Sequence, residues 1–220
     1  MTRIWVTGTG TGVGKTIVTS TLIALARTRG RVWLPFKPVQ TGWPAADDVD
    51  EALRAAGMHV APGLRRLLSP FRYALPASPH LAARGRLTVA RMARAEAALR
   101  PFAVPLIVEG AGGVLVPINR HETMRDLMTA LPGPILLVGR AGLGTLNHVL
   151  LSVESLRQAG RVIAGIVLSQ QPGEAWDRIA SDNRRTLQAY TGLPVVRFAP
   201  VPRLCVLALF EFAFVCYVFN

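Results

Sequence analysis

Short apolar runs alternate with amphipathic stretches along most of the 220 residues. Ile4, Trp5 and Val6 form the first run, and Ile17 to Arg27 follows with apolar residues at helical spacing and Gly30 as its stop. Arg31 to Phe36 is a second short strand. An acidic cluster, Asp47, Asp48, Asp50 and Glu51, leads into a helix through Leu53 and Ala56 to Gly57. Ala61 to Arg86, rich in Pro and Arg, reads as irregular. Leu87 to Leu99 is an Ala-rich amphipathic helix, Val104 to Val108 a buried strand, Thr123 to Leu131 a helix and Pro134 to Val138 another buried strand. A helix capped by Thr145 runs toward Gly160. Val162 to Leu168, Glu174 to Tyr190 and Pro194 to Phe198 then read as strand, helix and strand. Buried strands alternating with helices predict an α/β fold: a mostly parallel β-sheet flanked by helices on both faces.

The length fits one such domain, expected over residues 1–203, with residues 204–220 as an atypical apolar tail. No stretch resembles a signal peptide, and Cys205 and Cys216 both fall in the tail without forming a metal or disulfide framework, so a cytoplasmic protein is expected. The net charge of +12 raises the question of nucleic acid. Its arginines, however, never run longer than two and read as solvated surface. The lysines say more. Only Lys15 and Lys37 interrupt the preference for arginine, and a compact ammonium serves a point-charge role that a planar guanidinium serves less well.

Lys15 sits in Gly8 to Thr16, GTGTGVGKT, between the first strand and the first helix. Glycines there let backbone N–H groups turn inward, and the helix start adds its positive dipole end, so the loop suits a phosphate chain. Lys15 would reach the β and γ phosphates and Thr16 would place a hydroxyl on magnesium, as in a P-loop NTPase. The common pattern has four residues between its first glycine and GK[ST]; here that position is Thr9, and Gly8 comes one place early. Lys37 opens Lys37 to Gly42, KPVQTG, at a strand end, the ligand-facing edge of a parallel sheet. Acids before a helix serve as caps or as magnesium ligands, and Asp47, Asp48 and Asp50 all stay open here. Glu109 ends an apolar strand before Gly110, Ala111, Gly112 and Gly113, the place of a second magnesium ligand. The helix start at Gly144, Thr145, Leu146 and Asn147 is an anion site or an ordinary capped helix. His59, His80, His121 and His148 lack metal-ligand spacing.

With GTGTGVGKT, KPVQTG, PASPH, VEGAGG and GLGTLNH in this order, residues 2–194 resemble the dethiobiotin synthetase family. The resemblance implies an enzyme that makes dethiobiotin from 7,8-diaminopelargonate, carbon dioxide and ATP with magnesium, through a carbamate and a carbamic-phosphoric anhydride. It implies Lys37, Lys15 and Thr11 as catalytic residues, and Thr16, Asp48 and Glu109 as magnesium ligands. Nucleotide contacts fall on Gly12, Val13, Gly14, Lys15, Thr16, Ile17 and Ser169. Diamine contacts fall on Thr41, Gly112 and Gly113, and, from the second subunit of a homodimer, on Gly144, Thr145, Leu146 and Asn147. No nucleic-acid or membrane partner is expected.

Gly10 stands where many members carry Asp, and Ser169 where an asparagine usually reads the adenine. After Phe198 only Ala199 to Pro202 remains of a loop that closes over the base, and Leu204 to Phe219 is nearly all apolar, broken by Glu211. That tail is shorter than a membrane span and reads as a noncognate end, such as a shifted reading frame. Two rivals share the loop. A cobyrinate-type amidase or synthetase needs a further glutamine-hydrolysing domain, and a partition-type ATPase switch typically has an additional lysine early in the loop, where this chain has Gly10 and Thr11.

Overall fold

The computed structural model describes residues 1–171 and 173–199. The apolar end of the chain, and with it the reading of a noncognate tail, lies outside the described residues. In chain order the elements are β1 (Arg3–Gly8), α1 (Lys15–Thr28), β2 (Leu34–Phe36), β3 (Val39–Thr41), α2 (Asp48–Ala55), α3 (Pro62–Leu68), β4 (Phe71–Tyr73) and α4 (Pro79–Ala82). They continue as α5 (Val89–Ala97), β5 (Leu106–Gly113), α6 (Met124–Ala130), β6 (Ile135–Arg140), α7 (Thr145–Gln158), β7 (Ile163–Ser169), α8 (Arg178–Thr191) and β8 (Val195–Phe198). Six strands form one parallel sheet in the order β2-β5-β1-β6-β7-β8, and β3 pairs with β4 as a separate parallel ribbon.

Neighbouring residues along each strand feed different cores, because side chains alternate across a sheet. Trp5, Val108, Leu137 and Ile166 join Met92 of α5, Leu127 of α6 and Val153 of α7. Ile4, Ile107, Leu136 and Val167 join Val18, Leu22 and Leu25 of α1. Both faces are therefore covered, which explains why the strands read as continuous apolar runs. Trp5, the largest fully buried side chain, donates its indole N–H to the Leu131 carbonyl at 2.7 Å, so its polar end is not stranded. Arg3 holds the fully buried Glu96 at 2.7 Å and tethers α5 to the start of β1.

The chain runs from β1 past β5 to β2, later returns to β5, and then crosses to β6 on the other side of β1. Such a reversal leaves a crevice beyond the carboxyl ends of the central strands. At that edge Val6 of β1 is level with Glu109 of β5, and Gly8 with both Gly113 and Val138. A Cβ on Gly113 would stand 3.1 Å from the Thr9 carbonyl, so a small residue lets β5 run close beside the loop after β1. Arg27, in the last turn of α1, donates to the carbonyls of Ala56 and Gly57 at the far end of α2 and binds the two helices together.

Several elements differ from the sequence pattern. The segment 61–86 holds α3, β4 and α4 instead of being irregular: Pro62 and Pro79, which read as breakers, stand at the first helical positions, where a missing N–H costs nothing. Strand β2 begins only at Leu34, since Arg31 and Val32 are exposed. Strand β5 continues through GAGG to Gly113. Helix α8 starts at Arg178, where Asp177 caps it by accepting from the Ala180 N–H at 2.8 Å. Helix α7 is capped by Gly144 in the left-handed region, not by Thr145, which is the first helical residue.

Candidate functional site

A cavity of about 600 Å³ opens at the carboxyl edge of the central strands. Its floor is the loop between β1 and α1, anchored where the Thr9 N–H donates to the Val138 carbonyl at 2.9 Å. Gly14 ends the loop as the cap of α1 with φ 98°, and a Cβ there would lie 2.6 Å from the Ser169 hydroxyl. Glycine is thus needed twice over, for the backbone conformation and for the approach of β7. Helix α1 has no side-chain cap and no acid in its first turn, so its leading N–H groups remain available to an anion.

Lys15 lies buried over this loop, donating to the Gly10 carbonyl at 2.6 Å. Lys37 arrives from the turn between β2 and β3 and donates to Glu109 Oε1 at 2.7 Å, to the Gly110 carbonyl at 3.3 Å and to Asp48 Oδ2 at 2.5 Å. Thr16 Oγ1 donates to the same Glu109 oxygen at 2.9 Å. One hydroxyl, two carboxylates and two ammonium groups, drawn from α1, β5, α2 and the β2–β3 turn, therefore share one chamber. Two of the cluster's other acids, Asp47 and Asp50, point elsewhere. Asp47 caps α2, accepting from the Val49 and Asp50 N–H groups at 3.2 Å, while Asp47 and Asp50 both bind Arg65.

Burial lowers the Lys15 pKa to about 8, with the like charge of Lys37 adding to the shift and Glu109 and Asp48 opposing it. Burial also works against charge on Lys37, but the Glu109 and Asp48 carboxylates outweigh it and raise its pKa above the usual lysine value. Asp48 is held low because the Lys37 ammonium overcomes the cost of its burial. Glu51, one turn along on the same side of α2, is raised by burial and by the charges of Asp48 and Glu109. Lys37 stays charged at neutral pH, while Lys15 titrates only a little above it.

Thr11, Gly12, Gly14, Ile17, Thr41, Gly112 and Ser169 line the same cavity as the charged centre. Val13 instead packs in the core behind the loop, which leaves its backbone as the part facing a ligand. Gly113 lies beside the loop at Thr9 rather than on the cavity wall. The start of α7 stands apart: Gly144 and Asn147 are exposed, Leu146 is half-buried, and the buried Thr145 hydroxyl has no hydrogen-bond partner among the described residues. Sequence reasoning assigned no role to Gln40, Glu51 or Gln171, all on the cavity wall. Gln40 accepts from the Asp48 N–H at 3.3 Å, and its position inside KPVQTG was the available signal. Glu51 could have been found from its three-residue spacing to Asp48, which shares a helix face.

Comparison with known proteins gives the arrangement its relatives. Residues 2–208 match a family model described as an AAA domain. An ATP-dependent dethiobiotin synthetase from Anaeromyxobacter dehalogenans (strain 2CP-C) is 45% identical over 174 residues, 77% of each chain. Another from Haloferax mediterranei is 38% identical over 199 residues, 89% of this chain and 83% of the relative. Among solved structures, chloroplast FtsY from Physcomitrella patens has a TM-score of 0.55 at 16% identity, covering 100% of this chain and 65% of that one, a likeness of fold alone. With the family model spanning most of its length and relatives at these identities, the chain belongs to the dethiobiotin synthetase family.

Proposed function

We propose that this protein closes 7,8-diaminopelargonate and carbon dioxide into the ureido ring of dethiobiotin, converting ATP to ADP and phosphate. The supporting observation is the meeting of the chain's two lysines with Glu109 and Asp48 in one cavity. Carbon dioxide first adds to one amine of the substrate to give a carbamate. A carbamate oxygen attacks the γ-phosphorus, the bond to the β-phosphate oxygen breaks, and ADP leaves. The second amine then attacks the carbonyl carbon of the mixed anhydride and expels phosphate, losing its proton.

Both reactants of the phosphoryl step carry negative charge, so positioning and charge compensation dominate the catalysis. Lys15 spans from the loop to the β and γ phosphates. Lys37, charged at neutral pH, lies between the phosphate loop and the wall carrying Thr41 and Gly112, where it offsets charge on the carbamate. Thr11 contributes a loop hydroxyl beside the γ-phosphate, Gly12 to Thr16 supply backbone N–H groups, and Ile17 and Ser169 border the nucleotide farther along.

Thr16, Asp48 and Glu109 make a hard oxygen set suited to magnesium, which usually takes one or two carboxylates and completes its shell with phosphates and water. The Lys37 ammonium already bridges Asp48 and Glu109, so the place where these oxygens converge favours positive charge. Bound there, magnesium would neutralise charge on the β and γ phosphates. The diamine would lie along Thr41 and Gly112, with Gly113 behind them beside the loop. Its carboxylate would rest on Gly144 to Asn147 of a second copy, since that exposed helix start lies off the cavity wall of its own chain.

Phosphate release by the full-length protein, measured with magnesium and ATP, tests the reaction. Release should depend on adding both the diamine and bicarbonate. Release at the same rate without the diamine would overturn the assignment.

A further inference from the structure

Helix α2 begins with four carboxylates in five residues, Asp47, Asp48, Asp50 and Glu51. Nothing in their chemistry decides which one meets Lys37, and helical phase alone does not say which side of the helix faces it. We infer that Arg65 is a positioning residue for the metal-facing acid: by holding Asp47 and Asp50 on the outer side of the helix start, it leaves Asp48 alone aimed at Lys37 and Glu109. The inference rests on the proposed role of Asp48 as a magnesium ligand.

Arg65 stands on α3 and uses two of its nitrogens. Nη2 donates to Asp47 Oδ1 and Nε to Asp50 Oδ1, each at 2.5 Å. The pair with Asp47 is mostly withdrawn from solvent, with side chains 15% and 13% exposed, so it is shielded more than an ordinary surface pair. Nη1 is buried and has no hydrogen-bond partner among the described residues, so the guanidinium sits where the two acids hold it even at the expense of its third nitrogen.

The Asp47 oxygen that accepts from Arg65 also accepts from the Val49 and Asp50 N–H groups. One atom therefore links α3 to the first turn of α2. Helical geometry does the rest. Residues advance about 100° each, which sets Asp50 on the opposite side from Asp48 and returns Glu51 to the side of Asp48. With the outer acids gripped, Asp48 and Glu51 face the cavity, and the Gln40 amide oxygen receives the Asp48 N–H from the β3 side. Without Arg65 the cap is free to turn and two more carboxylates compete for any cation nearby. The consequence is a loss of metal-dependent binding rather than of nucleotide binding as such.

The test compares ADP affinity by calorimetry with magnesium and with EDTA in the full-length protein, for wild type, Arg65→Ala, Asp50→Asn and Asp48→Asn. Arg65→Ala is expected to cut the magnesium-dependent gain in affinity by about threefold to tenfold, the scale of losing a helix cap, while metal-free affinity stays within about twofold. Asp50→Asn, at a half-exposed side chain that threatens folding little, should shift the same gain in the same direction by a smaller factor. A gain unchanged in both variants, while Asp48→Asn abolishes it, overturns the role of Arg65 and leaves the metal reading standing. A gain unchanged in all three overturns both. Equal weakening with and without magnesium marks Arg65 as a general structural residue and also overturns the proposal.

Discussion

Helices α1 and α7 begin almost alike. Each has 14 residues, a glycine cap in the left-handed region, no side-chain cap and no acid in its first turn. Each therefore offers uncompensated N–H groups at the carboxyl edge of the sheet. Their surroundings differ. The start of α1 is enclosed by Lys37, Glu109 and Asp48, with Ser169 pressed against its glycine. The start of α7 opens outward: Leu143 is 92% exposed, and among the described residues a Cβ on Gly144 would meet nothing within 4 Å. A helix terminus gives only a modest preference for anions, typically under 1 kcal/mol where water reaches it. What distinguishes the first start is the set of charges the sheet brings over it.

The sharpest break of this comparison is at the centre of the first start. Lys37→Met should lower diamine-dependent phosphate release by about 10²-fold to 10³-fold, the range for removing one charge-stabilising group from a closed site, while ADP affinity changes little. A loss below tenfold would mean that Lys37 only supports the carboxylates. Gly14→Ala and Gly144→Ala are the same substitution at the two caps. At Gly14 the Cβ adds a clash with Ser169 to the backbone cost, and nucleotide binding should fall about 100-fold or more, measured by calorimetry.

Protonation separates the two starts again, since only the first carries a lysine. With Lys15 at about 8, the unliganded protein holds fewer protons than the unfolded chain between about 8 and 10.5. Its stability through this group accordingly rises with pH across that window, because the unfolded state still binds the proton that the folded state has lost, and raising the pH favours the state with fewer protons. Nucleotide phosphates favour the charged lysine, so ADP affinity should fall about tenfold from pH 7 to pH 9, with proton uptake on binding at pH 9. Flat affinity, and equal heats in buffers of different ionisation enthalpy, would show that Lys15 stays charged throughout.

Smaller effects test the second start. Asn147→Ala should raise the KM for the diamine about fivefold to tenfold and leave that for ATP unchanged, and an equal rise in both would remove the substrate role of α7. Gly144→Ala should cost only about 1 kcal/mol in chemical denaturation, from its positive φ alone.

Much of this was legible along the chain because buried parallel strands and amphipathic helices write different periods. The phosphate loop, Lys37 and Glu109 could be read because each stands where an apolar run ends. The segment from Ala61 to Arg86 was not legible: β4 has three residues, too few for a period, and prolines that start helices look the same as prolines that stop them. Asp48 could not be separated from Asp47 and Asp50 by sequence, because helical phase does not say which side of α2 meets Lys37, and the outer side is held by Arg65, at least 15 residues away. The Gly144 cap was missed since threonine is the commoner cap chemistry and a left-handed glycine leaves no side-chain signature.

The grip of Arg27 on the Ala56 and Gly57 carbonyls lies at the opposite end of both helices from the cavity. Two of the chamber's walls, the one bearing Thr16 and the one bearing Asp48, are thus stapled at the base like the leaves of a book. Their spacing is settled when the chain folds, and an arriving triphosphate meets a mould already cast. Amide exchange at Ala56 to Met58 should accordingly be equally slow with and without nucleotide. The ordering of these two walls is then charged once, at folding, and not again at each turnover.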